Sequence, residues 1–203
     1  MVATTIFGRL DRVFLQKRPN LESKLTLSLT GLTAPWTYGF LSVVEIPSAG
    51  HCGGLLIVSQ IGRPIEFHCT APVATNRAQE IMYGQTYTGF ICADQIGMSL
   101  VDKTKNQPTL FLTDCADALP LSELIDSPLV LVENSNVANP FDGQGLKKFT
   151  VKDHVAFCVN AQQDQLDSIE QCVKSFTRSL PIEEPFERIR QAIEEAHAGC
   201  RAA

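Results

Sequence analysis

The sequence predicts an α/β protein built on a mixed sheet, in which three antiparallel strands are followed by strand–helix–strand and then by C-terminal helices. Three observations predict it. Residues 53–60 and 65–73 (GGLLIVSQ and IEFHCTAPV) are apolar runs separated by IGRP, which reads as a hairpin with the turn at Gly62-Arg63. TLFLTD (109–114) and PLVLVE (128–133) are short and almost continuously apolar, the mark of strands covered on both faces. Between and after these runs the apolar residues recur every three or four positions, as on one face of a helix.

Taken in order, 4–14 and 24–32 alternate apolar and polar residues and read as half-buried strands separated by Pro19-Asn20. Pro35 and Gly39 punctuate the chain around its one tryptophan, Trp36, and FLSVVEI (40–46) is the first strand of the main sheet. After the central hairpin, Thr75 or Asn76 can cap a short helix that contains Glu80 and ends at Gly84. A longer helix over 87–105 places Phe90, Ala93, Ile96, Gly97, Leu100 and Val101 together. Asp117 caps a short helix through Ile125, and 109–133 then reads as strand–helix–strand, which requires parallel pairing. The loop 134–146 is long, polar and rich in Gly and Pro, a length that usually signals function or motion. KFTVKDHVAFCV (148–159) reads as one further strand. Leu166, Ile169, Val173, Phe176 and Leu180 form a helical stripe, and FERIRQAIEEAH (186–197) a second. The whole divides into N-terminal strands over 1–35, an α/β core over 36–160 and a helical appendage over 161–203, within one domain. Its predicted core contains Leu110, Leu112, Leu129, Leu131, Phe67, Ile57, Ile96 and Leu100.

Composition restricts function. The 203 residues are 44% hydrophobic and 19% charged, enough to bury a core without disulfide staples. No apolar run approaches the ~20 residues of a membrane span. The first twenty residues carry charges where a signal peptide has its apolar centre, so a cytoplasmic protein without a membrane partner is expected. Seven cysteines, an odd number without a CxxC pair, fit a reducing compartment. The net charge of −5 is uneven. Residues 1–31 hold five basic and two acidic groups, whereas 107–203 hold eight basic and fifteen acidic ones. That balance leaves nucleic acid as a possible partner but does not favour a broad phosphate-binding face.

The order of elements from Phe40 to Glu133 resembles the ribonuclease H-like superfamily, and within it the endonuclease V-type proteins. The resemblance rests on element order and no specific motif. It implies carboxylates on the first strand, the first helix and the end of the fourth strand, holding Mg²⁺ or Mn²⁺ for phosphodiester hydrolysis. Here those places fall on Glu45, Glu80 and Asp114, with Glu45 departing from the aspartate normal on the first strand. The same acids also read as a strand-end surface residue, a dipole-facing helix residue and a turn cap.

Other chemistry is weaker in pattern. Cys115 follows a buried strand and precedes a helix start, where a thiol pKa falls, and His68 could serve as its base. Asp114 and Asp117 beside it act in the opposite direction. Each histidine has a cysteine close after it, but His68 and Cys69 point to opposite faces of a regular strand and cannot share one metal. Asn76 and Arg77 sit at a helix N-terminus, where an anion could bind or the asparagine could simply cap. The leading expectation is therefore a non-catalytic binding or scaffold domain acting through protein contacts or self-association over 162–197. The alternative is a divalent-metal-dependent phosphodiester hydrolase of ribonuclease H-like type.

Overall fold

The computed structural model describes residues 36–134, 146–152, 154–159 and 163–201. The strands expected at 4–14 and 24–32, and most of the 134–146 loop, lie outside them. Seven strands form one sheet in the order β3-β2-β1-β4-β5-β7-β6. β1 (Thr37–Ile46), β2 (Gly50–Ser59) and β3 (Pro64–Cys69) form an antiparallel meander. β4 (Leu110–Thr113) and β5 (Leu129–Asn134) then continue from β1 in parallel. The predicted hairpin is present: Leu55 pairs with His68 and Leu56 with Phe67, and the Ser59 N–H donates to the Arg63 carbonyl across the turn. Gly62 holds φ +76 there, a conformation that favours glycine.

Strand alternation divides the core in two. Tyr38, Phe40, Leu56, Leu112 and Val130 face α4 (Gln163–Ser179) and α5 (Glu184–Arg201). Phe40 stacks edge-on against Phe186, and it also meets Phe176, as Tyr38 does. Leu41, Leu55, Phe111 and Leu129 face the opposite helical layer. That layer is a continuous helical stretch over 87–101: α2 (Tyr87–Gly89), a π-helical segment over Phe90–Gly97, and α3 (Met98–Val101). α1 (Arg77–Tyr83) precedes it. Neighbouring glycines on β2 let both layers close. A Cβ on Gly53 would lie 2.1 Å from Ile96 Cγ2, and one on Gly54 would lie 2.4 Å from Ile189 Cγ2 on the other side.

Several expectations change. The run 148–159 is not one strand but a hairpin of β6 (Leu146–Val151) and β7 (His154–Val159), antiparallel to each other and to β5. Its turn uses Lys152 at φ +53, so neither Gly nor Pro marked it. The helix expected to reach Lys105 ends at Val101, and the one expected over 117–125 is a 3₁₀ segment, Ala116–Glu123. Phe67 is 39% exposed, because β3 is an edge strand that the helices do not fully cover; the other seven expected core residues are buried. The stripes of α4 and α5 are consumed by the sheet. Leu166, Ile169, Val173, Phe176, Phe186, Ile189 and Ile193 are all buried and Leu180 is half-buried, so among the described residues the two stripes leave no surplus apolar face. No helix among the described residues is long and apolar enough to cross a membrane.

Candidate functional site

Parallel pairing of β1 and β4 brings Leu41 level with Thr113, so Ser42 and Asp114 come next on the two strands. By alternation both side chains point to the α5 face. Ser42 is fully buried, and its hydroxyl donates to Asp114 Oδ2 at 3.1 Å. α5 crosses above them. Ile189 and Ile193, four residues apart, are buried in the core on this side of the sheet, with Ile189 closest to β2 at Gly54. Arg190 stands at the edge of this stripe, where its Nη1 donates to the same Oδ2 and its Nη2 reaches Glu187 Oε1 at 2.8 Å. Asp114 Oδ1 is buried and has no partner among the described residues.

Burial raises the pKa of Asp114, while the Ser42 hydroxyl and the Arg190 guanidinium pull it back without cancelling the rise. Burial works against the charge of Arg190 too, but Glu187 and Asp114 together raise its pKa. Arg190 separates two clefts. One, of about 290 Å³, runs past Glu45, Ile46, Glu194 and His197. The other, of about 350 Å³, is lined by Asp114, Glu133, His154, Glu183 and Phe186. In the second cleft His154 is almost wholly buried and its Nε2 lies 2.8 Å from Glu183 Oε1. Beside the first, the Cys52 thiol meets His197 Nε2 at 3.2 Å, and burial raises that thiol's pKa.

The three acids expected from the sequence do not gather at one point. Asp114 is the half-buried centre, and Glu45 is an exposed residue at the rim of the smaller cleft. Glu80 lines neither cleft: it is exposed on α1 and its carboxylate accepts from Arg77 at 2.8 Å. Among the described residues, no three His, Cys, Asp or Glu side chains come together to hold a metal ion. The carboxylate set that a Mg²⁺ or Mn²⁺ pair requires is therefore not assembled among the described residues. Asp114 Oδ2 meets a serine hydroxyl and a guanidinium, while Glu133 and Glu183 line the same cleft further off.

The remaining candidates fall elsewhere. Cys115 lies one residue beyond Asp114 and packs into the opposite core layer, where the Cys92 thiol lowers its pKa against the effect of burial. His68 stands on β3, with β2 and β1 between it and β4, and its Nε2 contacts Glu66 Oε1 at 2.6 Å. Asn76 caps α1, its Oδ1 accepting from the Ala78 and Gln79 amides at 3.0 and 3.4 Å. The residues that complete the site with Asp114 are Ser42, Arg190, His154 and Glu183; of these the sequence pointed only to His154, as one of the histidines with a cysteine close after it. Ser42 carried a signal, as a polar residue inside an apolar strand. Arg190 carried none, since one arginine beside a helical stripe is common.

No family model and no curated protein matches this sequence. Solved structures do match its fold. Endonuclease V of Ciona intestinalis, as a point variant in complex with a 23mer DNA containing an inosine followed by a ribo-adenosine, is 13% identical with a TM-score of 0.52. The match covers 81% of this chain and 88% of that one. The same endonuclease with a 24mer DNA of that kind gives 14% identity and a TM-score of 0.50 over 81% and 89%. The chain thus shares the mixed α/β fold of these endonuclease V structures. The expectation of a non-catalytic scaffold working through protein contacts is overturned: the structures matched above are of an endonuclease in complex with DNA, and the helical stripes meant for a partner are largely buried.

Proposed function

We propose that this protein is a phosphodiester hydrolase acting on nucleic acid, with its reaction centre at the cleft between Asp114, His154 and Arg190. The observation that carries the proposal is Asp114: a half-buried carboxylate at the C-terminal end of a central parallel strand, with Oδ2 bound by Arg190 and the buried Oδ1 without a partner among the described residues. Open α/β sheets bind their ligands beyond the carboxyl ends of their strands, which is where this cleft lies. The likeness to endonuclease V supports the same reading.

Each residue has a distinct role. Arg190 presents N–H donors in a planar fork suited to phosphate oxygens, and it balances charge developing there. His154, held against Glu183, accepts a proton from the attacking water. Asp114 holds the Arg190 guanidinium and the Ser42 hydroxyl in place, and the leaving oxygen takes its proton from solvent water. Phosphodiester and water then become a phosphomonoester and an alcohol, with the proton lost by the water matched by the one delivered. Glu45 stands at the rim, where it meets flanking groups, and Glu80 has no part in the step. The acidic cleft tolerates a polyanion poorly, so weak, salt-sensitive binding is expected.

The test is cleavage of end-labelled single- and double-stranded RNA and DNA oligonucleotides by the full chain. Cleavage should fall by about 10²-fold or more in His154→Ala and Asp114→Asn. Product formation that is equal in wild type and both variants would refute the proposal.

A further inference from the structure

We infer that Arg190 is the resident cation of this site, seated on Asp114 in place of a divalent metal ion. The inference rests on the reading of the cleft as a phosphodiester site, and it concerns what supplies positive charge there. Four observations converge on it. The guanidinium binds Asp114 Oδ2, the same oxygen that accepts from Ser42. The β1 residue facing Asp114 is a serine, so β1 supplies a neutral hydroxyl and no carboxylate for a dication, and Glu133 and Glu183, which line the same cleft, do not gather with Asp114 into a ligand set among the described residues. The nearest β1 acid, Glu45, lies three residues further on and is exposed. Arg190 is itself fixed from both sides, by Glu187 at 2.8 Å and by a helix whose Ile189 and Ile193 are buried in the core.

A guanidinium within hydrogen-bonding reach of a carboxylate repels a divalent cation approaching the same oxygen. It also keeps N–H donors directed at a phosphate, the work a metal would otherwise do. Arg190 is thus a positioning group for Asp114 and a direct contact for the ligand.

The experiment titrates the full chain with MnCl₂ to 1 mM while following the thermal midpoint and the heat of binding. The midpoint is expected to move by less than about 1 °C, with no saturable heat. A saturating rise of about 5 °C or more, lost in Asp114→Asn, would overturn the inference. A rise that persists in Asp114→Asn would place the ion elsewhere and uphold it. On oligonucleotides, cleavage that continues in EDTA and falls at least tenfold in Arg190→Lys supports it. Cleavage that requires Mg²⁺ and is lost in Asp114→Asn overturns it. If no oligonucleotide is cleaved under any condition, the hydrolase reading fails, and the Mn²⁺ titration still decides which cation serves Asp114.

Discussion

Gly54→Ala isolates the contact on which the placement of Arg190 depends. The added Cβ would lie 2.4 Å from Ile189 Cγ2 and 3.3 Å from Ile193 Cδ1, where carbon atoms pack best at roughly 3.5–4.0 Å. The obstacle is a β-branched side chain buried in a helix, with one strongly preferred rotamer, so α5 must move outward by on the order of 1 Å. Overpacking of this kind costs ~1–3 kcal/mol. For a chain of this length that is a fall in melting midpoint of roughly 2–12 °C. Because Arg190 follows Ile189, a misplacement of that size should also lower oligonucleotide cleavage by up to about 10²-fold. Melts followed by circular dichroism on wild type and Gly54→Ala measure the first effect. Gly89→Ala is the control. Its Cβ would meet nothing nearer than 3.6 Å, and helix propensity should make it stabilising by ~0.5–1 kcal/mol. In Gly54→Ala/Ile189→Ala the clash is gone, so the two substitutions should couple favourably by at least ~0.5 kcal/mol. A Gly54→Ala protein that melts at or above wild type would show that α5 does not bear on β2 as described.

Three further outcomes follow from the same coordinates. Leu112→Ala removes a fully buried side chain from a central strand and should cost ~2–5 kcal/mol, read from urea unfolding. Phe40→Ala breaks ring contacts to both Phe176 and Phe186 and should cost ~3–5 kcal/mol by the same method. Glu66 is held at a pKa of about 2 by the His68 hydrogen bond, followed by the Lys105 amide and the Asn106 side chain. A depressed carboxylate pKa stabilises the fold above the unfolded value near 4.3 and loses that contribution as pH falls toward 2. Glu66→Gln should therefore melt below wild type at pH 7, with the gap closing between about pH 4.5 and 2.

How much was legible follows from what each signal measures. Hydrophobic period reports how many faces of an element are covered, and it located β2, β3, β4, β5 and both C-terminal helices within a few residues. It cannot report the turn at Lys152, because a lysine at positive φ is chosen by the hairpin and not by propensity. Nor does it distinguish a helical stripe that closes on its own sheet from one that waits for a partner. α4 and α5 were read as surplus, yet the face of β1, β2 and β4 opposite the π-helical layer had no other cover. The glycines that seat α5 and the π-helical layer looked in sequence like nothing more than the start of an apolar run.

The site divides along the same line. Asp114 was legible because a strand end is a local feature and the element order assigned that end a carboxylate. Arg190 and Ser42 were not, since their meaning arises only when strands 72 residues apart in sequence lie side by side and a helix 76 residues on crosses them. Element order points to acids as the partners of Asp114, the residue type that a metal site demands. The folded chain gives it a hydroxyl and a guanidinium. A carboxylate whose neighbours are a donor and a cation is already charge-balanced, whereas one among other carboxylates needs an ion from solution. The chemistry of this cleft is thus decided by which side chains meet Asp114, and element order alone carries no information about that.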